Sequence, residues 1–135
     1  MPMLNLSVSL DPSPELAKTL AAELTRATSS HLQKDPSVTA IAITPVDNTR
    51  WFIGGDSVAA QQMNAFWLDI KVTAATNTKA QYADYLAEVF ATMQRLLGPL
   101  HETSYIVIDE VSAPSWGYAG ISQEQRFVTS RMKPA

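Results

Sequence analysis

Two stretches of the sequence share one pattern and decide the fold: Pro2-Met3-Leu4-Asn5-Leu6-Ser7-Val8 and Phe66-Trp67-Leu68-Asp69-Ile70-Lys71-Val72. In each stretch every second side chain is apolar, which is the period of a strand with one buried face. The sequence therefore predicts two equivalent strands, one at the start of each half of the chain.

A helix and a second strand are predicted to follow the first stretch. The first strand spans residues 3–10, and Ser13-Pro14-Glu15 then begins a helix that runs to about Gln33, because it combines a hydroxyl cap, a proline at the first helical position and a carboxylate at the positive end of the dipole. Residues 38–46 are a β-prone apolar run. The first half therefore reads as strand, helix, strand.

The second half repeats this order. The segment Thr76-Asn77-Thr78 begins a helix that ends at Gly98-Pro99, and its apolar residues from Tyr82 to Leu97 form one stripe at helical spacing. Residues 103–111 form the last long strand, and the polar tail from Ser122 is expected to carry one helical turn.

The two halves are predicted to be a tandem duplication. A shift of 65 residues places Trp51 on Trp116 and Gly55 on Gly120, and the first strands match at a shift of 64. The repeats are residues 2–55 and 66–120, with a connection at 56–65 and a C-terminal tail at 121–135.

The predicted fold class is α/β (α+β), a duplicated βαβ unit in a single domain. Right-handed crossovers place both helices on one face of a four-stranded mixed sheet, with short strands in addition. Two helices cannot cover both faces. Because Ala40, Ala42 and Val107 on the opposite face are apolar or small, we expect that face to meet other subunits.

Composition excludes several classes of function. The 135 residues contain no cysteine, which removes disulfides and thiolate chemistry, and a net charge of −3 with scattered basic residues argues against nucleic acid as a partner. No apolar run approaches the roughly 18 residues of a membrane span, so we expect a soluble, cytoplasmic protein. His31 and His101 lie far apart in the sequence, in different halves of the chain, so we expect structural roles for them and no metal site.

Pro2 is the candidate catalytic residue. Its small size permits removal of Met1, which would leave a secondary amine at the start of a buried strand. A terminal amine has a pKa of roughly 7.7 to 8.0, and burial lowers that pKa because desolvation disfavours the cation. The result would be a general base poised near neutral pH. The alternative is that proline stands at position 2 only because it permits this processing.

The chain resembles the tautomerase superfamily. Its start, Pro2-Met3-Leu4, and residues 34–45 resemble the macrophage migration inhibitory factor branch at matching places. Residues 51–55 and 116–120 are similar to the close of the short 4-oxalocrotonate tautomerase unit, here fused in tandem. The resemblance covers nearly the whole chain.

The resemblance implies a homotrimer without a cofactor that uses Pro2 as a base in small keto-enol substrates. It also implies substrate-binding roles for four further residues, namely Lys34, Tyr105, Trp51 and Trp116. In the family, an asparagine on the same strand accompanies the pocket tyrosine. Its position corresponds to Val107 here, so the hydrogen bond of that asparagine is lost.

Departures from the family pattern bear on the substrate. The short tautomerase has one arginine in its first helical turn, which corresponds to a position near Pro12, and one in a strand, which corresponds to Ala40 in the first repeat and Tyr105 in the second. Neither arginine is present here. The paired arginines of the chloroacrylate dehalogenases correspond to positions within residues 72–75, which contain no arginine. Dehalogenation and decarboxylation are therefore disfavoured. Lys71 is the best local replacement for these cations. Arg50 and Arg126 are looser candidates.

Two hypotheses follow from the sequence. The first is a tautomerase acting on a small 2-oxo acid or aryl pyruvate. The alternative is a non-catalytic, ferredoxin-like ligand-binding or interaction module, because a duplicated βαβ layout suits both. The state of the N-terminus discriminates between them, since a buried Pro2 near a cation favours the enzyme.

Overall fold

A computed structural model describes residues 1–132, so the last three residues of the predicted tail lie outside it. The elements are β1 (Met3–Val8), α1 (Pro14–Leu32), β2 (Ala40–Pro45), β3 (Phe52–Ile53), β4 (Asp56–Ser57), β5 (Phe66–Thr73), α2 (Lys79–Leu97), β6 (Tyr105–Val111), β7 (Gly117–Tyr118), β8 (Ile121–Ser122) and α3 (Gln123–Met132). Three short 3-10 helices span Pro36–Val38, Asn48–Arg50 and Ala113–Ser115.

The four long strands form one mixed sheet in the order β2-β1-β5-β6. Strand β1 runs parallel to β2, β5 runs parallel to β6, and the two central strands are antiparallel. The duplicated βαβ fold with its mixed sheet and additional short strands is therefore confirmed.

Side-chain caps begin both long helices where the sequence predicts them. The Ser13 hydroxyl accepts a hydrogen bond from the Leu16 amide at 3.1 Å. Thr78 and Gln81 exchange side-chain and backbone hydrogen bonds in a capping box, which satisfies two donors that the first turn would otherwise leave unpaired. Helix α1 ends at Leu32, and the C-cap residue Gln33 adopts the left-handed conformation, with φ of 59°.

The core lies between the helices and one face of the sheet. The alternating apolar residues of β1 and β5 are at most 1% exposed: Leu4, Leu6, Val8, Phe66, Leu68, Ile70 and Val72. Between the two helices, the buried Tyr85 hydroxyl lies 2.9 Å from the Thr28 hydroxyl. Burial raises the pKa of Tyr85 to about 12, so it stays a neutral hydrogen-bonding group.

The opposite face of the sheet is open. Trp67 is 53% exposed, Tyr105 is 64% exposed and Val107 is 42% exposed. Ala40 and Ala42 on β2 are exposed beside them. A single chain thus leaves an apolar sheet face in contact with water, which in soluble proteins marks an interaction surface.

Each half ends in a hairpin, and the hydrogen bonds of the two hairpins recur at a shift of 65 residues. The amide of Val58 donates to the Trp51 carbonyl at 2.8 Å, as Gln123 does to Trp116 at 2.9 Å. The amides of Ala60 and Gln125 donate at 3.1 Å to the hydroxyls of Ser57 and Ser122. The structural correspondence therefore extends past Gly55 and Gly120.

The C-terminal region departs from the sequence prediction. A single helical turn is expected after Ser122, but α3 spans ten residues, Gln123–Met132. The Ser122 hydroxyl accepts from the Gln125 amide and so satisfies a donor of the first turn. None of the residues of α3 is buried, so the helix has no need of an apolar stripe. Hydrophobic periodicity therefore underestimates its length.

Within residues 1–132, no helix has the length and apolar character needed to cross a membrane. The same residues contain no group of three or more His, Asp or Glu side chains arranged to hold a metal ion.

Candidate functional site

Pro2 lies at the end of the central strand pair. The residue is buried, and its carbonyl accepts a hydrogen bond from the Ala40 amide at 3.3 Å. The next residue, Met3, pairs with Ala40 on one side and with Lys71 on the other. Two neighbouring strands therefore fix the position of Pro2, and its ring fixes φ.

A cavity of about 320 Å³ opens beside Pro2. Val38 and Ala40 line one side of it, while Trp116 and Tyr118 from the second hairpin line another. These walls are mostly apolar, and an apolar wall disfavours the charged form of a nearby amine.

The second hairpin holds Trp116 in place. The Trp116 indole donates to the Thr73 hydroxyl at 3.3 Å, and its carbonyl accepts from the Gln123 amide at 2.9 Å. A Cβ atom on Gly117 would collide with the backbone carbonyl of Ile121, so only glycine lets β7 and β8 approach this closely.

Lys71 also lines the cavity of Pro2, but neighbouring carboxylates balance its charge. Its ammonium lies 2.8 Å from Asp109 and 3.7 Å from Asp69. The hydrogen bond that Lys71 donates to Asp109, together with the charge of Asp69, raises the pKa of Lys71. Lys71 is therefore a fixed cation that already has two anionic partners.

A second cavity, of about 670 Å³, lies between the N-terminus and α3. Lys34, Gln123 and Arg126 contribute to its lining. The Lys34 ammonium donates to the Thr76 hydroxyl at 2.8 Å, and burial lowers the pKa of Lys34. Met1 lines this cavity and also the cavity of Pro2, so it stands between them.

The environment of the chain's amine disfavours its charged form. Burial lowers the pKa of the Met1 amine below its usual 8.0, and the positive charge of Lys34 lowers it further. Asp35 opposes these effects. These surroundings therefore favour the neutral form of an amine more than water does.

Arg126 lines the larger cavity and also contacts Tyr118 of the second hairpin. One guanidinium nitrogen donates to the Tyr118 carbonyl at 2.9 Å, and the guanidinium carbon lies 3.7 Å from the centre of the Tyr118 ring. The Arg126 Nε and Gln123 Nε2 atoms are buried and have no hydrogen-bond acceptor among residues 1–132.

The structure brings together some of the residues that the sequence singles out. Pro2, Lys71 and Trp116 line one cavity, and Lys34 and Arg126 line the adjacent one.

Three other candidates lie elsewhere. Trp51 and Arg50 follow β2, whose end pairs with the far end of β1, six residues and roughly 20 Å from Pro2. Tyr105 pairs with Trp67 near that same end and lies on the open face.

Sequence reasoning did not single out Tyr118 or Gln123 as site residues. Both belong to the second hairpin and its helix, and both correspond at a shift of 65 residues to residues of the first repeat, namely Ile53 and Val58. The change from Val58 to Gln123, from a buried apolar side chain to a buried amide, is the signal that could have found the second of them.

Comparison with solved structures shows what the chain is similar to. A wild-type fused 4-OT that forms an asymmetric trimer aligns with a TM-score of 0.79 and 20% identity, over 90% of this chain and 96% of that chain. A macrophage migration inhibitory factor-like protein from Entamoeba histolytica aligns with a TM-score of 0.73 and 19% identity, over 90% and 97%.

A third solved structure is that of a protein inactivated by 2-oxo-3-pentynoate. It aligns with a TM-score of 0.79 and 14% identity, over 90% of this chain and 96% of that chain. No protein-family model and no curated protein matches the sequence. At these identities the similarity establishes the fold, and it is the fold that the resemblance in the sequence predicts.

Proposed function

We propose that this chain, which has the fold of the tautomerase superfamily, is an isomerase that uses the Pro2 amine as a general base on small enolisable 2-oxo acids. The observation that carries the proposal is the position of Pro2, which is buried beside Trp116. It is supported by the neighbouring Met1 amine, whose pKa is lowered by burial and by the charge of Lys34. Removal of Met1 is part of the proposal, as is a cytoplasmic location.

The proposed reaction moves one proton and changes no oxidation state. The neutral Pro2 nitrogen accepts the proton of an enol hydroxyl, and the electron pair of the O–H bond forms the carbonyl. The electron pair of the carbon–carbon double bond moves to the adjacent carbon, which takes the proton from the Pro2 ammonium. The base is thereby regenerated without a cofactor or metal.

The surroundings of Pro2 suit both steps. Apolar walls keep the amine neutral before the reaction, and cations stabilise the negative charge that develops on the enolate oxygen. Because Asp109 and Asp69 already balance Lys71, we assign this stabilisation to Lys34, whose hydrogen-bond partner is the neutral Thr76 hydroxyl.

Covalent labelling tests the proposed base directly. The conjugated alkynyl ketone 2-oxo-3-pentynoate reacts with a neutral amine, because the nitrogen attacks the alkyne and the amine proton moves to the adjacent carbon. We expect mass spectrometry to find one adduct on a peptide that begins at Pro2. A retained Met1, or a processed protein that takes up no label, would contradict the proposal and favour the binding module.

The pH dependence of this labelling tests the cause of the lowered pKa. Only the neutral amine reacts, so the rate rises with pH through the pKa of Pro2. Lys34→Gln removes a nearby positive charge, so we expect the pKa to rise and the midpoint to move to higher pH. Asp35→Asn removes the opposing negative charge and is expected to move the midpoint to lower pH.

The two substitutions serve as controls for each other. Equal midpoints in the wild-type protein and in both variants would show that these charges do not act on Pro2. A wild-type midpoint at or above the usual 7.7 to 8.0 of a terminal amine would argue against a tuned base.

We further propose that the chain assembles as a homotrimer through the open sheet face. The fused 4-OT used in the comparison is a trimer. Trp67, Tyr105 and Val107 expose apolar surface on one side of the sheet, beside the small residues Ala40 and Ala42, which allow close approach. A second copy is therefore the partner that this face fits.

A charge placed on this face is expected to break the assembly. Val107→Glu would bury an unpaired carboxylate between subunits, which costs several kcal/mol, so we expect the subunit dissociation constant to rise at least ~100-fold. Sedimentation velocity over a dilution series measures it. Ala83→Glu, on an exposed position of α2, is the matched control and should leave the assembly unchanged. An undiminished trimer in Val107→Glu would exclude this face as the interface.

A further inference from the structure

The two cavities described above have Met1 in common. The smaller cavity contains Pro2 and Trp116, and the larger one contains Lys34 and Arg126, while Met1 lines both. Removal of Met1, on which the proposed function rests, would therefore take away a residue that stands between them and join the two cavities. The Pro2 amine then lies at the junction between an apolar compartment and a cationic one.

The fold does not require a positive charge at position 126. At a shift of 65 residues, Arg126 corresponds to Gln61, and Tyr118 corresponds to Ile53. The Gln61 side chain donates to the Ile53 carbonyl at 2.9 Å, and the Arg126 side chain donates to the Tyr118 carbonyl at the same distance. A neutral amide therefore forms this hydrogen bond to the hairpin in the first repeat. In the second repeat a positively charged guanidinium forms the same bond.

The guanidinium also has unused hydrogen-bonding capacity. Arg126 forms no ion pair with another side chain of residues 1–132, in contrast to Lys71 with its two carboxylates. Its Nε atom and the Gln123 Nε2 atom are buried without acceptors. Glu124 lines the same cavity but is ion-paired with neither Lys34 nor Arg126. Buried donors of this kind favour an incoming acceptor, and a carboxylate matches the geometry of a guanidinium.

We propose that Arg126, with the Gln123 amide beside it, binds the carboxylate of the substrate. The substrate then lies across the junction, with its carboxylate in the compartment of Lys34 and Arg126 and its body against Trp116. The mostly apolar walls of the smaller cavity favour an apolar body. The substrate class is therefore a monocarboxylate with an aryl or similar apolar group, in its enol form.

Kinetics on a pair of substrates test this assignment. Arg126→Gln copies the residue of the first repeat and should retain the hydrogen bond to the Tyr118 carbonyl. We expect it to lower kcat/KM for phenylenolpyruvate on the order of 10- to 100-fold, mostly through KM, because a charged hydrogen bond is lost. The methyl ester of the same enol, which carries no charge, should react equally well with both proteins. Arg131→Gln, on the exposed part of α3, is the matched control and should change neither substrate.

Binding of a non-reacting acid separates this proposal from the proposed function. Cinnamate carries the aryl group and the carboxylate but cannot enolise, and cinnamamide is its neutral counterpart. We expect calorimetry to show cinnamate binding that Arg126→Gln weakens and Pro2→Ala does not. Such binding without any turnover would reject the proposed isomerase and leave the carboxylate site standing. Equal affinity for acid and amide, or no binding of either, would overturn the site.

A measurement on the processed wild-type protein keeps the test independent of how well the variant folds. The side-chain Nε–H resonance of Arg126 should shift when cinnamate is added and should not shift with cinnamamide. An unchanged resonance under saturating cinnamate would also overturn the proposal.

Discussion

Pro2→Ala is expected to lower kcat/KM for phenylenolpyruvate by about 10²- to 10⁴-fold, the range that a positioned general base contributes. Alanine at position 2 still permits removal of Met1, so the variant has a terminal amine at the same point of the chain. That amine lacks the pyrrolidine ring, which fixes φ and thereby the direction of the nitrogen lone pair. The fall in kcat/KM is expected to come from kcat. Its size measures how much an oriented secondary amine contributes to the rate.

The same substitution should leave the fold intact. The pairing of Met3 with Ala40 and Lys71 does not depend on the ring of Pro2, so we expect the free energy of unfolding to change by less than about 1 kcal/mol. Pro12→Ala, beyond the far end of β1, is the matched control and should retain full activity. Full activity in Pro2→Ala, with Met1 shown to be absent by mass spectrometry, would rule out the assigned base.

Phe66→Ala is expected to have the largest effect on stability, a loss of about 3–5 kcal/mol in the free energy of unfolding. Phe66 corresponds to Pro2 in the second repeat, where the chain continues and no amine exists. Its side chain is fully buried, and its ring centre lies 6.3 Å from that of Phe90. Truncation would leave a cavity between β5 and α2.

Urea unfolding at one fixed protein concentration measures this loss, because assembly makes apparent stability depend on concentration. Phe52→Ala removes the same side chain at a position that is 62% exposed and should cost less than about 1 kcal/mol. An equal loss in the two variants would show that Phe66 has no special place in the core. The proposal thus assigns chemistry to Pro2 in the first repeat, while the equivalent Phe66 packs in the core in the second.

The sequence predicts the fold well because its signals are periodic and local. The alternation of Leu68, Ile70 and Val72 reports a buried strand face, and the cap residues Ser13 and Thr78 report helix starts, without knowledge of any distant contact. The long elements and the four-stranded mixed sheet follow from these signals and from the duplication. Helix α3 is underestimated because its residues carry no apolar stripe.

The site is less accessible to sequence reasoning because it depends on contacts between elements. Lys71 reads as a free cation in the sequence, and only the register of β5 with β6 places Asp109 beside it. The contact between Arg126 and Tyr118 depends on how α3 packs against a hairpin. Pro2 is the exception, because the role proposed for it follows from its place in the sequence and does not depend on a contact with another element.

The position of β1 in the sheet has a consequence for how the protein is made. This strand is synthesised before both of its neighbours, and one of them, β5, ends only at Thr73. At roughly 5–20 residues per second, synthesis of the chain from Met3 to Thr73 takes about 4 to 14 s. The sheet cannot close around Pro2 before then. An aminopeptidase that removes Met1, as proposed above, would therefore have an interval of seconds in which to act, before the folded sheet surrounds Pro2.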